Sequence, residues 1–293
     1  MRLGPLEANL ICLGLVTADF TARAVRLSWL VRGTGHHLSV RDSLVTSLYT
    51  EAGATLTPLR LGGEPARVAG MLSSGVPAAA SFVAIAYEVI TAWPVLIAVA
   101  AAIFGWWAPQ WWREVGVQLG GNLRAGWPWV ALVALLTLAA WWLGRRLARL
   151  GSHRVRRPLR RIAVYWRRMP WWPVAASAAC SLVNVLSRIA ILPVLALALP
   201  DPPALPTLVV GSFGLVYSQM VLPTPAGAGA VELGLLAGAA GNLGDERHWV
   251  LLAWRFYLNG LGSLLGVVLA AHAFGWPALR HAVRRLLGPS APA

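Results

Sequence analysis

The sequence predicts an all-α fold: a polytopic helical membrane protein with about five full spans and two Pro/Gly-broken re-entrant hairpins forming an inverted repeat. Three observations predict it. The 293 residues are 57% hydrophobic and only 12% charged, against roughly 25% charged in soluble domains. Several apolar runs approach or exceed the ~20 residues that a helix needs to cross a bilayer. Two of those runs are interrupted by similar proline- and glycine-rich stretches. A mean hydropathy of +0.62 agrees. This composition excludes a cytosolic enzyme, a disulfide-stapled secreted domain and a disordered tail, and residues 1–293 read as a single integral membrane domain.

The first helix is expected over roughly 8–31. Asp19, Arg23 and Arg26 recur at i, i+4 and i+7, which places them on one face. They stand near the end of the run, where Arg32 and Arg41 follow, so that end reads as cytoplasmic. No small-residue cleavage site follows the run, so it is expected to stay in the chain rather than act as a signal peptide. The first broken repeat covers about 43–107. Its segment 43–57 carries Glu51 and meets Thr57-Pro58-Leu59-Arg60-Leu61-Gly62-Gly63-Glu64-Pro65-Ala66-Arg67, which is read as non-helical. A short segment, 66–75, follows, then a long apolar run, 76–107, containing Glu88 and Pro94.

A loop at 108–126 is flanked by Trp106, Trp107, Trp111, Trp112, Trp127 and Trp129, the composition of an interfacial belt. Helix 127–148 leads into an Arg-rich loop, 145–170, with ten arginines between Arg145 and Arg168 and no acidic residue among them. Such a block marks the cytoplasmic side and can rest on anionic headgroups. Helix 171–199 contains Arg188. The second broken repeat covers about 206–275. Its first run ends at Leu222-Pro223-Thr224-Pro225-Ala226-Gly227-Ala228-Gly229-Ala230-Val231-Glu232 and resumes to about 241. A polar loop, Asp245-Glu246-Arg247, precedes helix 248–275, which contains Arg255, and a basic tail (Arg280, Arg284, Arg285).

The charge distribution orients this plan. All 25 basic residues are arginine, and the net charge is +14. With five full spans and each broken segment returning to the side it entered from, the first from inside and the second from outside, the N-terminus falls outside and the tail inside, and seventeen arginines lie inside against four outside, as the positive-inside rule demands. The clustering of charge beside apolar spans argues for a membrane surface and against nucleic acid as the partner of this basic chain. Cys12 and Cys180 lie in apolar segments without metal-ligand spacing, and the six histidines form no ligand cluster, so no metal or cofactor is expected. His36-His37 reads as a solvated loop pair.

Arg60, Arg67, Arg188, Arg255, Glu51, Glu64, Glu88 and Glu232 remain at membrane depth. An ionised residue there costs ~2.5–3.5 kcal/mol on insertion scales and must pair or face water. Pairing that only ties helices together would satisfy that need. The two breaks add more. Each runs threonine-proline, then glycines, then a glutamate six or seven residues after the proline. Irregular backbone at membrane depth is tolerated where it is buried in protein or lines a cavity. Paired broken segments in the two halves are the sequence sign of a repeat-built transporter with a midplane site. Half-helices beginning after each break are expected to aim free N–H groups at an anion. Arg60, Arg67, Arg188 and Arg255 suit bidentate binding of phosphate oxygens. Glu64, Glu88 and Glu232 suit holding those arginines in the empty site, or taking up a proton. Gly62, Gly63, Pro225, Gly227 and Gly229 shape the breaks.

These stretches resemble a known family. Arg23-Ala24-Val25-Arg26-Leu27-Ser28-Trp29-Leu30, Thr57 to Arg67, and Pro223-Thr224-Pro225-Ala226-Gly227-Ala228-Gly229-Ala230-Val231-Glu232 are similar to motifs of the transmembrane (flippase) region of lysylphosphatidylglycerol synthases, and of stand-alone membrane proteins built from that region. Arg255, in Trp254-Arg255-Phe256-Tyr257, sits where that family has an aromatic-flanked arginine. The chain departs from the pattern in Ala226 and Ala228, where a further glycine is common, and in a short N-terminus. The resemblance implies a flippase in the cytoplasmic membrane acting on membrane lipids or lipid-linked substrates. With no aminoacyl-transfer domain following, it implies translocation without lysyl transfer.

No Gly-x-x-x-x-Gly-Lys loop exists, and the absence of lysine excludes a Walker A site. Any driving force would then come from a gradient or from substrate mass action. Two other readings compete: a non-transporting partner of lipid-biosynthesis enzymes, and a membrane-embedded lipid-modifying enzyme. The headgroup, the direction and the oligomeric state are open at this level.

Overall fold

The computed structural model describes residues 3–111, 113, 162, 164–220, 222 and 224–274. The expected helix 127–148, most of the arginine block, Pro223 and the basic tail lie outside the described residues. Within them every regular element is helical. The chain runs through α1 (Pro5–Gly33), α2 (Val40–Leu56), a 3-10 turn (Pro58–Arg60), α3 (Gly63–Ser73) and α4 (Ala78–Trp111). After the arginine block come α5 (Trp171–Ala196), α6 (Leu205–Ser218), a second 3-10 turn (Pro225–Gly227) and α7 (Ala230–Leu236). A third 3-10 turn (Gly244–Glu246), α8 (Arg247–Arg255), a π-helical turn (Phe256–Gly260) and α9 (Leu261–Phe274) complete it.

Among the described residues, three stretches are long and apolar enough to cross a membrane: Ala78–Trp111, Trp171–Ala196 and Gly244–Ala273. The chain is a multi-pass membrane protein. The first expected span, 8–31, forms as α1 and has the length, but Asp19 and Arg26 on it are buried inside the protein. Several boundaries move from the sequence expectation, and α4 runs on to Trp111, into the expected loop 108–126. Helix resumes at Gly63 rather than at 66, because Pro65 falls in the first turn, where its missing N–H has no intrahelical partner to lose. The helix after the second break ends at Leu236, short of 241. The last span is interrupted by the π-helical turn that begins right after Arg255.

Each half of the chain repeats one plan. Thr57 and Thr224, 167 residues apart, are both extended. Each is followed by proline and then by two residues at positive φ: Leu59 (52°) and Arg60 (58°), and Ala226 (49°) and Gly227 (68°). Helix restarts at Gly63 and Ala230, again 167 apart. The two copies part in between, with ψ of −28° at Leu61 and 139° at Ala228, and φ of −72° at Gly62 and 87° at Gly229. The two turns lie against each other, α1 packs along α5, α2 packs on α9, and α4 packs on α6. Long helices of one half thus embrace the broken helix of the other.

Close backbone approach holds the first hairpin. A Cβ on Gly62 would stand 2.7 Å from the Gly53 carbonyl oxygen and 2.7 Å from Thr57 Cγ2. Gly62→Val is therefore expected to cost about 1–3 kcal/mol by overpacking, read as a lowered unfolding midpoint in detergent. Gly14→Val supplies the control, since a Cβ there meets nothing within 4 Å.

Candidate functional site

Where the two turns meet, charged side chains from five helices converge. The i, i+4 spacing on α1 brings Asp19 and Arg23 together, Nη2 to Oδ2 at 2.9 Å. Arg23 also donates through Nη1 to Glu51 of α2 at 2.7 Å. Arg60, at the tip of the first hairpin, donates to the other Glu51 oxygen at 2.8 Å. Arg188 of α5 approaches the same carboxylate at 3.7 Å and Asp19 at 4.0 Å. Glu51, only 2% exposed, thus holds three guanidinium groups. One α5 turn before Arg188, Asn184 donates to Asp19.

A second node adjoins the first. Arg26 donates to Glu88 of α4 at 2.5 Å and to Ser181 Oγ at 2.9 Å. Arg67 of α3 reaches the same Glu88 oxygen at 3.0 Å and Glu64 at 3.5 Å. A cavity of about 290 Å³ is lined by Arg23, Arg26, Arg60, Arg67 and Arg188, with Glu51, Glu64, Gly63, Tyr217 and Gln219. Five arginines face four carboxylates, Asp19, Glu51, Glu64 and Glu88, which leaves one net positive charge.

Hydrogen-bond accounting points the same way. Arg26 Nε, Gln219 Nε2 and the Tyr217 hydroxyl are buried without a hydrogen-bond partner, and all three residues line the cavity. Each can donate, and an unmet buried donor costs about 1–3 kcal/mol. A ligand rich in acceptor oxygens and carrying negative charge would meet both the excess charge and the idle donors.

The expected site is gathered only in part. Arg60, Gly63, Glu64, Arg67 and Arg188 line the cavity, and Glu88 anchors two of its arginines. Gly62 packs behind it on Gly53. Arg255 and Glu232 do not line it. They pair with each other at 2.5 Å, and Arg255 also donates to the Ala226 carbonyl at 2.9 Å. Pro225, Gly227 and Gly229 build the turn beneath that pair. Of the N–H groups at each break, Gly229 N–H donates to Glu232 Oε2 at 2.7 Å and Gly62 N–H to Thr57 Oγ1 at 2.7 Å, while neither following helix has a side-chain cap on its first-turn N–H groups.

Arg23 and Arg26 are a further correction, because neither belongs to a cytoplasmic end. Arg26 is 6% exposed and lies two helical turns inside the end of α1, locked to Glu88. Taking both from the seventeen arginines expected inside leaves fifteen against the four expected outside. Asp19, Arg23, Arg26, Asn184, Gln219 and Asn259 are the site residues that the sequence reading did not gather. Asn259 sits in the π-helical turn, a feature common at functional sites. It accepts from Arg188 at 3.4 Å and donates to Gln219 at 3.0 Å. A shared i, i+4 spacing connects three of them to Arg188: Asp19-x-x-x-Arg23 returns as Asn184-x-x-x-Arg188.

No curated protein matches the chain. Among protein families, the lysylphosphatidylglycerol synthase TM region matches residues 5–266, which takes in both breaks and every residue of the arginine cavity. Together with the membrane-spanning helices, a match of that extent means that the chain belongs to this family, membrane proteins of a lipid-related transporter type.

Proposed function

We propose that the protein is a flippase that carries a lipid or lipid-linked anion across the cytoplasmic membrane, with no ATPase of its own. The observation that carries this reading is the arginine-lined cavity with one uncompensated positive charge and idle donors. Asp19 stands halfway along the 29-residue α1, a helix roughly 43 Å long at 1.5 Å per residue. The charged nodes therefore lie near the middle of the bilayer when α1 crosses it. An anionic headgroup entering beside Arg60 and Arg67 competes with Glu51 and Glu88 for guanidinium groups that are already oriented. Planar guanidinium forks match phosphate oxygens in pairs, while acyl or prenyl tails remain in the surrounding hydrocarbon. Binding replaces one set of ion pairs with another, so the headgroup crosses the dielectric barrier without shedding its charge partners.

The test is lipid movement in proteoliposomes. Arg60 lies at a hairpin tip and has one direct carboxylate partner, so Arg60→Ala is expected to leave the purified protein folded while slowing translocation at least tenfold. An unchanged rate would remove the reading. Conversion of added lipid in detergent would favour an enzyme. Full tolerance of the substitution with a lipid-synthesis protein still co-purifying would favour a partner role.

A further inference from the structure

The cavity has an exposed mouth and a buried floor. Leu59, Glu64 and Met220 are exposed at its edge, while Glu51 and Gln219 are 2% and 1% exposed. At the floor, one hydrogen bond fixes the direction of the next. Arginine has donors only, so the bond from Arg188 Nη2 to Asn259, at 3.4 Å, ends on Oδ1. Asn259 then turns Nδ2 to Gln219, which meets it with Oε1 at 3.0 Å. The Gln219 amide is thereby oriented, and Nε2 is its idle end, buried without a partner. Gly227, in the second break, packs on the same side chain: a Cβ there would stand 3.1 Å from Gln219 Cγ. Two residues before Gln219, the Tyr217 hydroxyl is also buried and unbonded. The positions 167 residues earlier, Thr50 and Ala52, bring no such donors, since Thr50 Oγ1 donates to the Thr46 carbonyl at 2.7 Å. The carboxylates nearby are already shared. Glu51 holds three guanidinium groups, and Asp19 takes Arg23, Arg188 and Asn184.

We propose that the cavity selects a phosphoester whose far end is an uncharged polyol, a glycerol or a sugar, and turns away headgroups that end in an ammonium. The proposal rests on the translocase reading and names the substrate class within it. The phosphate lies among the arginines, and a hydroxyl oxygen beyond it accepts from Gln219 Nε2. Tyr217 Oη both donates and accepts, so it pairs with a hydroxyl in either sense. An ammonium at the same floor has donors only. It would leave the Gln219 amide unmet and stand among guanidinium groups with no carboxylate to spare. Gln219 and Tyr217 are thus specificity residues, which read the end of the headgroup while the arginines read its charge.

The test is a ratio of affinities, measured by titrating the purified protein in detergent. Short-chain phosphatidylglycerol is compared with short-chain phosphatidylethanol, a phosphodiester of the same charge without the hydroxyls. Glycerol phosphate and ethyl phosphate form the matching soluble pair. The hydroxylated member is expected to bind about three- to tenfold tighter, the worth of one hydrogen bond. Preference within the lipid pair assigns the site to a headgroup, preference within the soluble pair alone assigns it to a free phosphoester, and either supports the polyol class. Gln219→Met and Tyr217→Phe are each expected to bring the ratio toward one, whereas Arg60→Ala weakens both members alike and keeps it. Tyr217→Phe removes a hydroxyl that bonds nothing in the protein, so it carries the test if Gln219→Met does not fold, and loss of preference in either variant supports the assignment. Short-chain phosphatidylethanolamine is expected to bind more weakly than phosphatidylglycerol. The proposal is overturned if phosphatidylethanolamine binds as tightly, if neither pair shows a preference, or if the preference survives both variants, which would mean that water meets these donors. The translocase reading stands through any of those results while lipid movement depends on Arg60, and falls only where that dependence is absent.

Discussion

Glu51→Gln is expected to lower the stability of the protein by about 3–5 kcal/mol, the cost of removing one partner from a buried ion pair. Glu51 is the carboxylate shared by Arg23, Arg60 and Arg188, at 2.7, 2.8 and 3.7 Å. It is 2% exposed, so water cannot replace it. Glutamine keeps the shape and one carbonyl acceptor but presents NH₂ donors to guanidinium groups that have only donors themselves. The net charge of the cavity rises by one, and Asp19 is left as the nearest compensation for Arg23 and Arg188. The effect is read as a lowered unfolding midpoint in detergent. The same variant separates a structural cluster from an anion site. If the cavity takes an anion, phosphate binds the more positive site of the variant better and recovers part of the lost midpoint by mass action. A purely structural cluster would show the loss with no phosphate dependence.

Much of this architecture is legible in the residues, and the boundary of what is legible has a physical cause. Apolar runs above twenty residues announce α4 and α5. Thr57-Pro58 and Thr224-Pro225 announce the two breaks, because proline removes a donor and restricts its neighbour whatever the context. Arg60, Arg67 and Arg188 stand out because charge in an apolar run is costly. Arg23 and Arg26 did not stand out, since Arg32 and Arg41 follow them and the block reads as one basic helix end. The i, i+4, i+7 spacing is visible in the sequence, but the direction in which that face points is set by packing against α5 and α2. The partners of these arginines lie far along the chain: Arg26 meets Glu88 across 62 residues and Ser181 across 155. Such pairings follow from the meeting of two halves, which no local window contains. Gln219 and Asn259 are neutral, and only the chain from Arg188 to Asn259 and from Asn259 to Gln219 gives them a role. The bonds from Gly62 N–H to Thr57 and from Gly229 N–H to Glu232 are hidden for a related reason, because threonine and glutamate reach their own turns only after those turns have formed.

The second node allows a sharper separation between holding the fold and handling the substrate. Glu88→Gln strands Arg26, which is 6% exposed with one idle nitrogen already, and is expected to cost about 3–5 kcal/mol, like any buried pair broken on one side. Replacing both partners is different. Arg26→Met with Glu88→Leu removes the uncompensated charge along with the pair, and apolar replacement of a buried ion pair is often neutral or stabilising by 1–4 kcal/mol. Arg67 keeps Glu64 at 3.5 Å as a partner near the cavity mouth, where water assists. The double variant is therefore expected to regain most of the midpoint that the single variant loses. Its transport should not recover in step, because the cavity has lost Arg26 and the carboxylate that orients Arg67. Stability without transport would mean that this node is kept for its chemistry. Stability with full transport would mean that Arg26 and Glu88 only join α1 to α4, and the anion site would contract to Arg23, Arg60, Arg67 and Arg188.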